Sequence, residues 1–361
     1  MLGSLLAIAM GQTSTSSVGP LIPANDPNLQ YTGRIDFDDS AAPVFCYGGC
    51  SFRTRFEGTT LALKWSQGEK GGNNSIGVRI DGGDEIRFVL APKGDAVYQV
   101  AVGLKKKTHD LLVYRRSDVW EGMCSFQGLI LDKGCGLLPP PPRPDRRIEF
   151  YGDSVTAGTL VEAVGFEGLS DEHITTYQGQ ELTNAYWSYA FIAARKLNAE
   201  AQIVAAGGLA LHDKNGWWPI GLESIYDKVE ATPDHLKPWD FNRFHPQVVV
   251  IAIGQNDARF ENIHDNAVRA KWITDYNGLL DHLRSHYPNA WFVLATTVLG
   301  HDLAWDDALK QIAESRKDKV RYYRYRRAGK ATAGHPRLPE HQEMADELAR
   351  FIGKLPDVWK D

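Results

Sequence analysis

A run of prolines divides this chain into two stretches of different period. Leu138-Pro139-Pro140-Pro141-Pro142-Arg143-Pro144 can continue neither a helix nor a central strand, and it reads as a stiff, extended joint. Before it, apolar and polar residues alternate in short segments: Thr60–Trp65, Ile76–Ile80, Ile86–Leu90, Tyr98–Val102 and Leu111–Tyr114, with Asp81-Gly82-Gly83 as a turn. Period-two strands parted by turns predict an all-β sandwich, jelly-roll-like, over 28–137. After the joint at 138–147, continuous apolar runs take over: Ile148–Tyr151, Ile203–Ala206, Val248–Ile253, Trp291–Ala295 and Val320–Tyr323. Between them lie helical patterns at Asn184–Leu197, Asn266–His286 and His341–Leu355. Strands alternating with helices predict a parallel α/β sheet over 148–361. In such sheets functional groups gather at the carboxyl ends of the strands.

That rule sorts the candidate residues. Ser154 follows the first α/β strand in Phe150-Tyr151-Gly152-Asp153-Ser154, where a buried strand gives way to a helix start. A serine there is a nucleophile candidate, with backbone N–H groups nearby for a developing oxyanion. The triplet alone is weak, since chance supplies it in roughly one such chain in ten. The second strand exits into Gly207-Gly208, where the chain can turn sharply and offer an N–H. The third exits into Gly254-Gln255-Asn256-Asp257, and the Asn256 amide is an uncharged oxyanion donor. Taken singly, the glycines are equally turn residues and Asn256 equally a turn cap.

A hydroxyl nucleophile needs a base. His245 lies before the third strand, at the wrong end of the sheet, and His282 and His286 belong to a helix or its end. His212 and His301 follow strands and stay possible. His335, in Ala333-Gly334-His335-Pro336 after the last strand, is preferred, because a loop there can aim the ring back at the first strand's exit. His341 reads as a cap or surface residue. Trp217 and Trp218, just beyond the second-strand loop, are candidate walls for a sugar or ordinary core residues.

These blocks, in this order, resemble the SGNH (GDSL) hydrolase superfamily. Pro-Arg-Pro-Asp-Arg-Arg-Ile-Glu-Phe at the joint, Thr183–Tyr189 and Trp239-Asp240-Phe241 extend the likeness to carbohydrate esterase family two, whose members remove acetyl groups from plant polysaccharides. The resemblance implies Ser154 as nucleophile and His335 as base, and the Ser154 and Gly208 amides and the Asn256 side chain as oxyanion donors. Gly208 is chosen over Gly207 by a match uncertain by one residue. It also implies hydrolysis without metal or organic cofactor. The superfamily's acid stands two or three residues before its histidine; here those positions are Ala333 and Thr332. The expectation is a Ser-His dyad held by a carbonyl, with Asp213, Asp257 and Asp302 as substitutes. A second departure is Gly207-Gly208-Leu209-Ala210 where the family has Ser-Gly-x-Gly. The alternatives are a short-chain or lipid esterase and a carbohydrate-binding protein with a relic site.

The remaining signals concern partners and compartment. A net charge of −5 without a long basic run argues against nucleic acid, and no run of ~18 apolar residues predicts a membrane span. Leu2–Met10, leading into Gly11–Ser17, resembles the apolar core and exit of a secretory signal, and 1–27 is read as a leader. Asn73-Asn74-Ser75 fits a glycosylation acceptor. Cys46, Cys50, Cys124 and Cys135 suit one or two disulfides, with a zinc site the lesser reading. An extracellular protein is expected.

Overall fold

The computed structural model describes residues 18–68, 71–174, 182–331 and 333–360. The leader-like residues 1–17 and Thr332 lie outside them. Two six-stranded antiparallel sheets form the N-terminal sandwich. One runs Ile35–Asp36, Val44–Phe45, Cys124–Asp132, Leu61–Gln67, Gly94–Ala101, with Val18–Pro23 also paired to Cys124–Asp132. The other runs Leu137–Leu138, Ser51–Gly58, Lys107–Arg115, Ser75–Ile80, Ile86–Val89, with Gln30–Thr32 beside Ser51–Gly58. Ser51–Gly58 shows the expected alternation. Phe52, Thr54 and Phe56 are buried while Arg53 and Glu57 are exposed. Phe52 stacks on Phe126 at 4.4 Å between ring centres. Residues from Val18 onward therefore belong to the sandwich, so the leader expectation reached too far.

The four cysteines are free thiols, three of them buried, which overturns the disulfide expectation. Cys46 accepts a hydrogen bond from the Ala231 N–H, and burial pushes its thiol up to about 11. Such thiols behave as small apolar core groups.

The joint is strapped down rather than free. Pro139 O accepts from Arg55 Nε, Pro141 O from Gln30 Nε2, and Arg143 pairs with Glu200 across the boundary. Beyond it, five parallel strands form one sheet in the order Ala199–Ala205, Arg146–Gly152, Val248–Ala252, Trp291–Ala295, Val320–Tyr322. The first strand in sequence thus lies between the second and third. Their three carboxyl-end loops are neighbours at the switch point of the sheet. Ile148, Phe150, Val248, Val250 and Val293 face the helices Tyr189–Lys196 and Leu338–Ile352. Tyr151, Val249, Ile251 and Leu294 share the opposite core with the sandwich and with Trp272 and Trp305 of helices Asn266–His286 and Ala304–Ser315. No helix among the described residues is long and apolar enough to cross a membrane.

Three differences from the sequence reading have local causes. The Asn184–Leu197 pattern breaks into a short turn, Ala185–Trp187, and a helix from Tyr189, because Ser188 is extended. The last helix starts at Leu338, where Pro339 suits the first turn and Glu340 caps the Arg337 N–H at 3.0 Å. A hairpin, Lys228–Thr232 with His235–Pro238, enters between the second and third strands.

One buried ion pair fastens the halves together. Arg34 of the sandwich is fully buried, and its Nη2 meets Glu149 Oε1, at the middle of the first parallel strand, at 2.8 Å. Its Nε donates to the same oxygen at 3.2 Å, and its remaining N–H groups go to Tyr151 Oη (2.8 Å), Tyr226 O (2.7 Å) and Lys228 O (2.9 Å). Gln202 and Tyr151 donate to the same carboxylate. Every charged group is satisfied, which is the condition for tolerating burial.

Candidate active site

Ser154 opens a one-turn helix, Ser154–Ala157, at the carboxyl end of the first parallel strand. Asp153 caps it, its Oδ1 accepting from the Val155 N–H at 3.0 Å. Asp153 is wholly buried, and burial pushes its carboxyl up to about 6 against bonds from Val155 and Gln255. Its Oδ2 also accepts from Asn256 Nδ2 at 3.0 Å. The nucleophile and third-strand blocks are thus knotted beneath the cleft floor.

His335 Nε2 lies 2.8 Å from Ser154 Oγ. The structure brings the preferred base to the candidate nucleophile. Its loop is anchored to the fourth strand's exit, with the Ala331 N–H bonded to Val298 O at 2.6 Å. The other histidines are elsewhere. His301 is paired with Asp306 at 2.8 Å, and His282 with Tyr226 Oη at 2.9 Å. His341 is not a surface residue. It is buried, its Nδ1 accepts from the Tyr189 N–H, and burial drives its ring down to about 3.

The ring of His335 is held by an acid after all. Asp171 Oδ2 lies 2.6 Å from His335 Nδ1, and the His335 backbone N–H donates to the same oxygen at 3.0 Å. Arg337 Nη2 donates to Oδ1 at 2.9 Å. Burial alone would raise the carboxyl of Asp171, but the bonds and charge of His335, with Arg337, hold it down at about 2. The dyad expectation is therefore corrected to a Ser154–His335–Asp171 line. The named substitutes are all engaged elsewhere. Asp213 accepts from Gly221 and Ser224, Asp257 from Leu211 and Trp272, and Asp302 pairs with His264. Asp171 sits in a loop turn, Asp171–His173, with no periodicity to mark it. A Cβ on Gly334 would meet Asp171 Oδ1 at 2.4 Å, and φ there is +141°. The glycine opens the space that the acid fills.

On the other side of Ser154 stand the expected donors. The Gly207 N–H is taken by Asp118 Oδ2 at 2.8 Å, and Trp120 Nε1 donates to Gly207 O at 2.9 Å. Gly208, at φ +74°, lines the cleft, and a Cβ there would press on Trp217 Cβ at 2.4 Å. With the Gly207 N–H occupied, Gly208 is the better-placed donor. Asn256 lines the cleft too, but its Nδ2 is bonded to Asp153 Oδ2 and to Leu209 O (3.1 Å). An oxyanion has to draw one of these N–H groups away. Asp118 and Trp120 belong to the sandwich, so the second-strand loop is shaped from the other domain. Burial pushes Asp118 up to about 6 against its bonds to Trp120 and Gly207.

The cleft has a volume of about 600 Å³ and is walled by Trp120, Leu160, Ile174, Trp217 and Leu299. Trp217 is 63% exposed, and the Arg259 guanidinium covers one face of its ring at 4.0 Å. Trp218 is only 2% exposed and packs in the core beside Trp120, so it is not a cleft wall at this site.

The family model described as Carbohydrate esterase 2 N-terminal matches residues 31–141. The cellulase/esterase CelE of Acetivibrio thermocellus is 32% identical over 91% of this chain, and the chain spans 39% of that protein's length. An acetylxylan esterase / glucomannan deacetylase of Cellvibrio japonicus is 28% identical, covering 98% of this chain and 97% of that protein. Among solved structures, a family two carbohydrate esterase from Clostridium thermocellum in complex with cellohexaose superposes with a TM-score of 0.77 at 26% identity, over 90% of this chain and 98% of that one. By its N-terminal family model and by likeness across both halves, the chain is a relative of the family two carbohydrate esterases.

Proposed function

We propose that this protein is a serine esterase that removes O-acetyl groups from plant polysaccharides: xylan, glucomannan or related oligosaccharides. The observation that carries the reading is the Ser154–His335–Asp171 line at the switch point of the sheet, beside an aromatic cleft. The named activities of the relatives support the substrate class. The relic-site alternative drew on a missing acid and on the attached sandwich, and Asp171 removes the first of these reasons.

Ser154 Oγ attacks the acetyl carbonyl as His335 Nε2 takes its proton. The oxyanion is met by the Ser154 and Gly208 N–H groups and by the Asn256 amide, released from Leu209 O. Collapse breaks the bond to the sugar oxygen, which receives the proton from His335. Water then gives a proton to His335 and attacks the acetyl-enzyme. Release of acetate returns that proton to Ser154. Asp171 fixes the ring's tautomer and stabilises the imidazolium at both stages. Trp217 offers its uncovered face to a sugar ring. The polymeric substrate makes an extracellular site of action part of this proposal, and detection of the protein in culture medium checks it.

The test is acetate release from acetylated xylan, glucomannan and an aryl acetate. Ser154→Ala is expected to lose at least 10³ in kcat with an unchanged circular dichroism spectrum. Retained activity refutes the assignment. Faster turnover of esters longer than butyrate refutes the deacetylase reading while keeping the serine mechanism.

A further inference from the structure

Behind the oxyanion loops lies a second group of side chains that the hydrolysis does not use. His212 follows the second-strand loop, Asp257 follows Asn256, and Glu261 lies just beyond the turn Asp257–Arg259. One nitrogen or oxygen from each lies within 4.8 Å of the others. His212 Nδ1 is 3.2 Å from Glu261 Oε1, and His212 Nε2 is 2.9 Å from Asp275 Oδ2 on the long helix.

The decisive atom is an oxygen of Asp257. This side chain is fully buried, and its Oδ1 already accepts from Leu211 N (3.1 Å) and Trp272 Nε1 (2.9 Å). Its Oδ2 is buried with no hydrogen-bond partner among the described residues. Glu261 Oε2 is likewise buried and unpartnered. Burial, and then the charge of Glu261, push Asp257 up to about 6 against the bonds it accepts. Two bare carboxylate oxygens, on residues clustered this closely, are costly unless a positive group joins them.

We propose that His212 Nδ1, an oxygen of Asp257 and an oxygen of Glu261 bind one divalent cation. One imidazole with two carboxylates suits the Zn²⁺, Mn²⁺ and Co²⁺ class, whereas Mg²⁺ and Ca²⁺ favour oxygen alone. The far nitrogen of His212 faces the Asp275 carboxylate, which is the second contact that fixes the tautomer of a metal-bound imidazole. Bonds of about 2.0–2.2 Å require small rotations that draw the three ligand atoms together. The site is structural. Asp257 holds the Leu211 N–H and follows Asn256 in the chain, so the cation ties together the loops that carry Gly208 and Asn256. The competing arrangement is an imidazolium between Glu261 and Asp275, with a proton on Asp257. The bond to Glu261, opposed by burial, raises the ring of His212 and favours that form.

The full-length protein is stripped with a chelator, dialysed, and titrated separately with Mn²⁺, Zn²⁺ and Mg²⁺. Bound metal is measured by mass spectrometry and stability by thermal unfolding. Mn²⁺ is the principal probe, because the free thiols also take Zn²⁺. The expectation is one equivalent of Mn²⁺ with a rise in Tm, and a loss of at least tenfold in affinity in both Glu261→Gln and His212→Gln. These positions are partly exposed, so folding is not at stake as it is for Asp257. Less than half an equivalent of Mn²⁺, equal binding by the variants, or binding of Mg²⁺ alone overturns the proposal. The binding measurement does not depend on esterase activity, so it stands or falls apart from the proposed function.

Discussion

Replacing Asp171 by Asn tests the acid directly. The carboxylate binds His335 Nδ1 through Oδ2 and Arg337 through Oδ1. An amide of the same shape has only one accepting oxygen. Its NH2 group must face either Arg337, a pure donor, or the protonated ring nitrogen, so the ring is pushed to the wrong tautomer. The imidazolium formed during attack also loses its counter-charge. With the charges roughly 4 Å apart and an effective dielectric of about 20, that attraction is roughly 4 kcal/mol. At about 1.4 kcal/mol per decade it corresponds to ~10³ in rate. The side chain of Asp171 is 30% exposed, so solvent screening lowers the expectation to about 10²–10³. The assay is acetate release from an aryl acetate under single-turnover conditions, with KM and circular dichroism followed in parallel. The fall should appear in kcat, with KM within a few-fold. A variant within threefold of the parent refutes the triad and returns the site to a dyad. The same carboxyl sets a stability signature. Its folded value of about 2 lies below the ordinary 3.8, so its contribution is present above about pH 4 and is lost as pH falls toward 2. The Tm gap between parent and Asp171→Asn should therefore close over that window.

Substitutions at two other places separate structure from recognition. Arg34→Met leaves Glu149 buried without its cation and is expected to cost about 3–5 kcal/mol in urea unfolding, whereas the double change with Glu149→Leu should recover much of it; equal stability of the single variant and the parent refutes the fastening role. Trp217→Ala should raise KM on acetylated oligosaccharides with kcat nearly constant and leave a small aryl acetate unaffected, while Trp218→Ala should lower stability by about 3–5 kcal/mol; an equal effect of Trp217→Ala on both substrates refutes the platform.

The parts of this molecule legible in the sequence are those governed by local period. Val248–Ala252 and Trp291–Ala295 are strands because their apolar runs are unbroken, and Asn266–His286 is a helix from cap to end. The carboxyl-end rule places Ser154, the Gly207-Gly208 pair and Asn256 at strand exits, and the resemblance selects Gly208; that those loops are neighbours follows from the strand order of the structure. Asp171 was not legible. It meets His335 across 164 residues, between two irregular loops, and neither spacing nor composition records such a meeting. Trp217 and Trp218 looked alike for a related reason. Adjacent residues in a loop have no fixed face, and tertiary packing in the core, with Trp120 beside it, buries Trp218 and leaves Trp217 out. The thiols misled because cysteine counts speak of compartment, whereas three of these four sit in the core as apolar groups.

The grip of the sandwich on Gly207 bears on what a working unit means here. Asp118 accepts from that residue's N–H and the Trp120 indole N–H donates to its carbonyl, so both backbone polar atoms of Gly207 are engaged by the other domain. The proline joint marks a border in the sequence, but the chemistry straddles it. An α/β half excised at that joint would keep its nucleophile, base and acid and lose the mould in which its anion pocket is cast. Any attempt to shuffle the two halves among relatives must carry Asp118 and Trp120 along with the loop they shape.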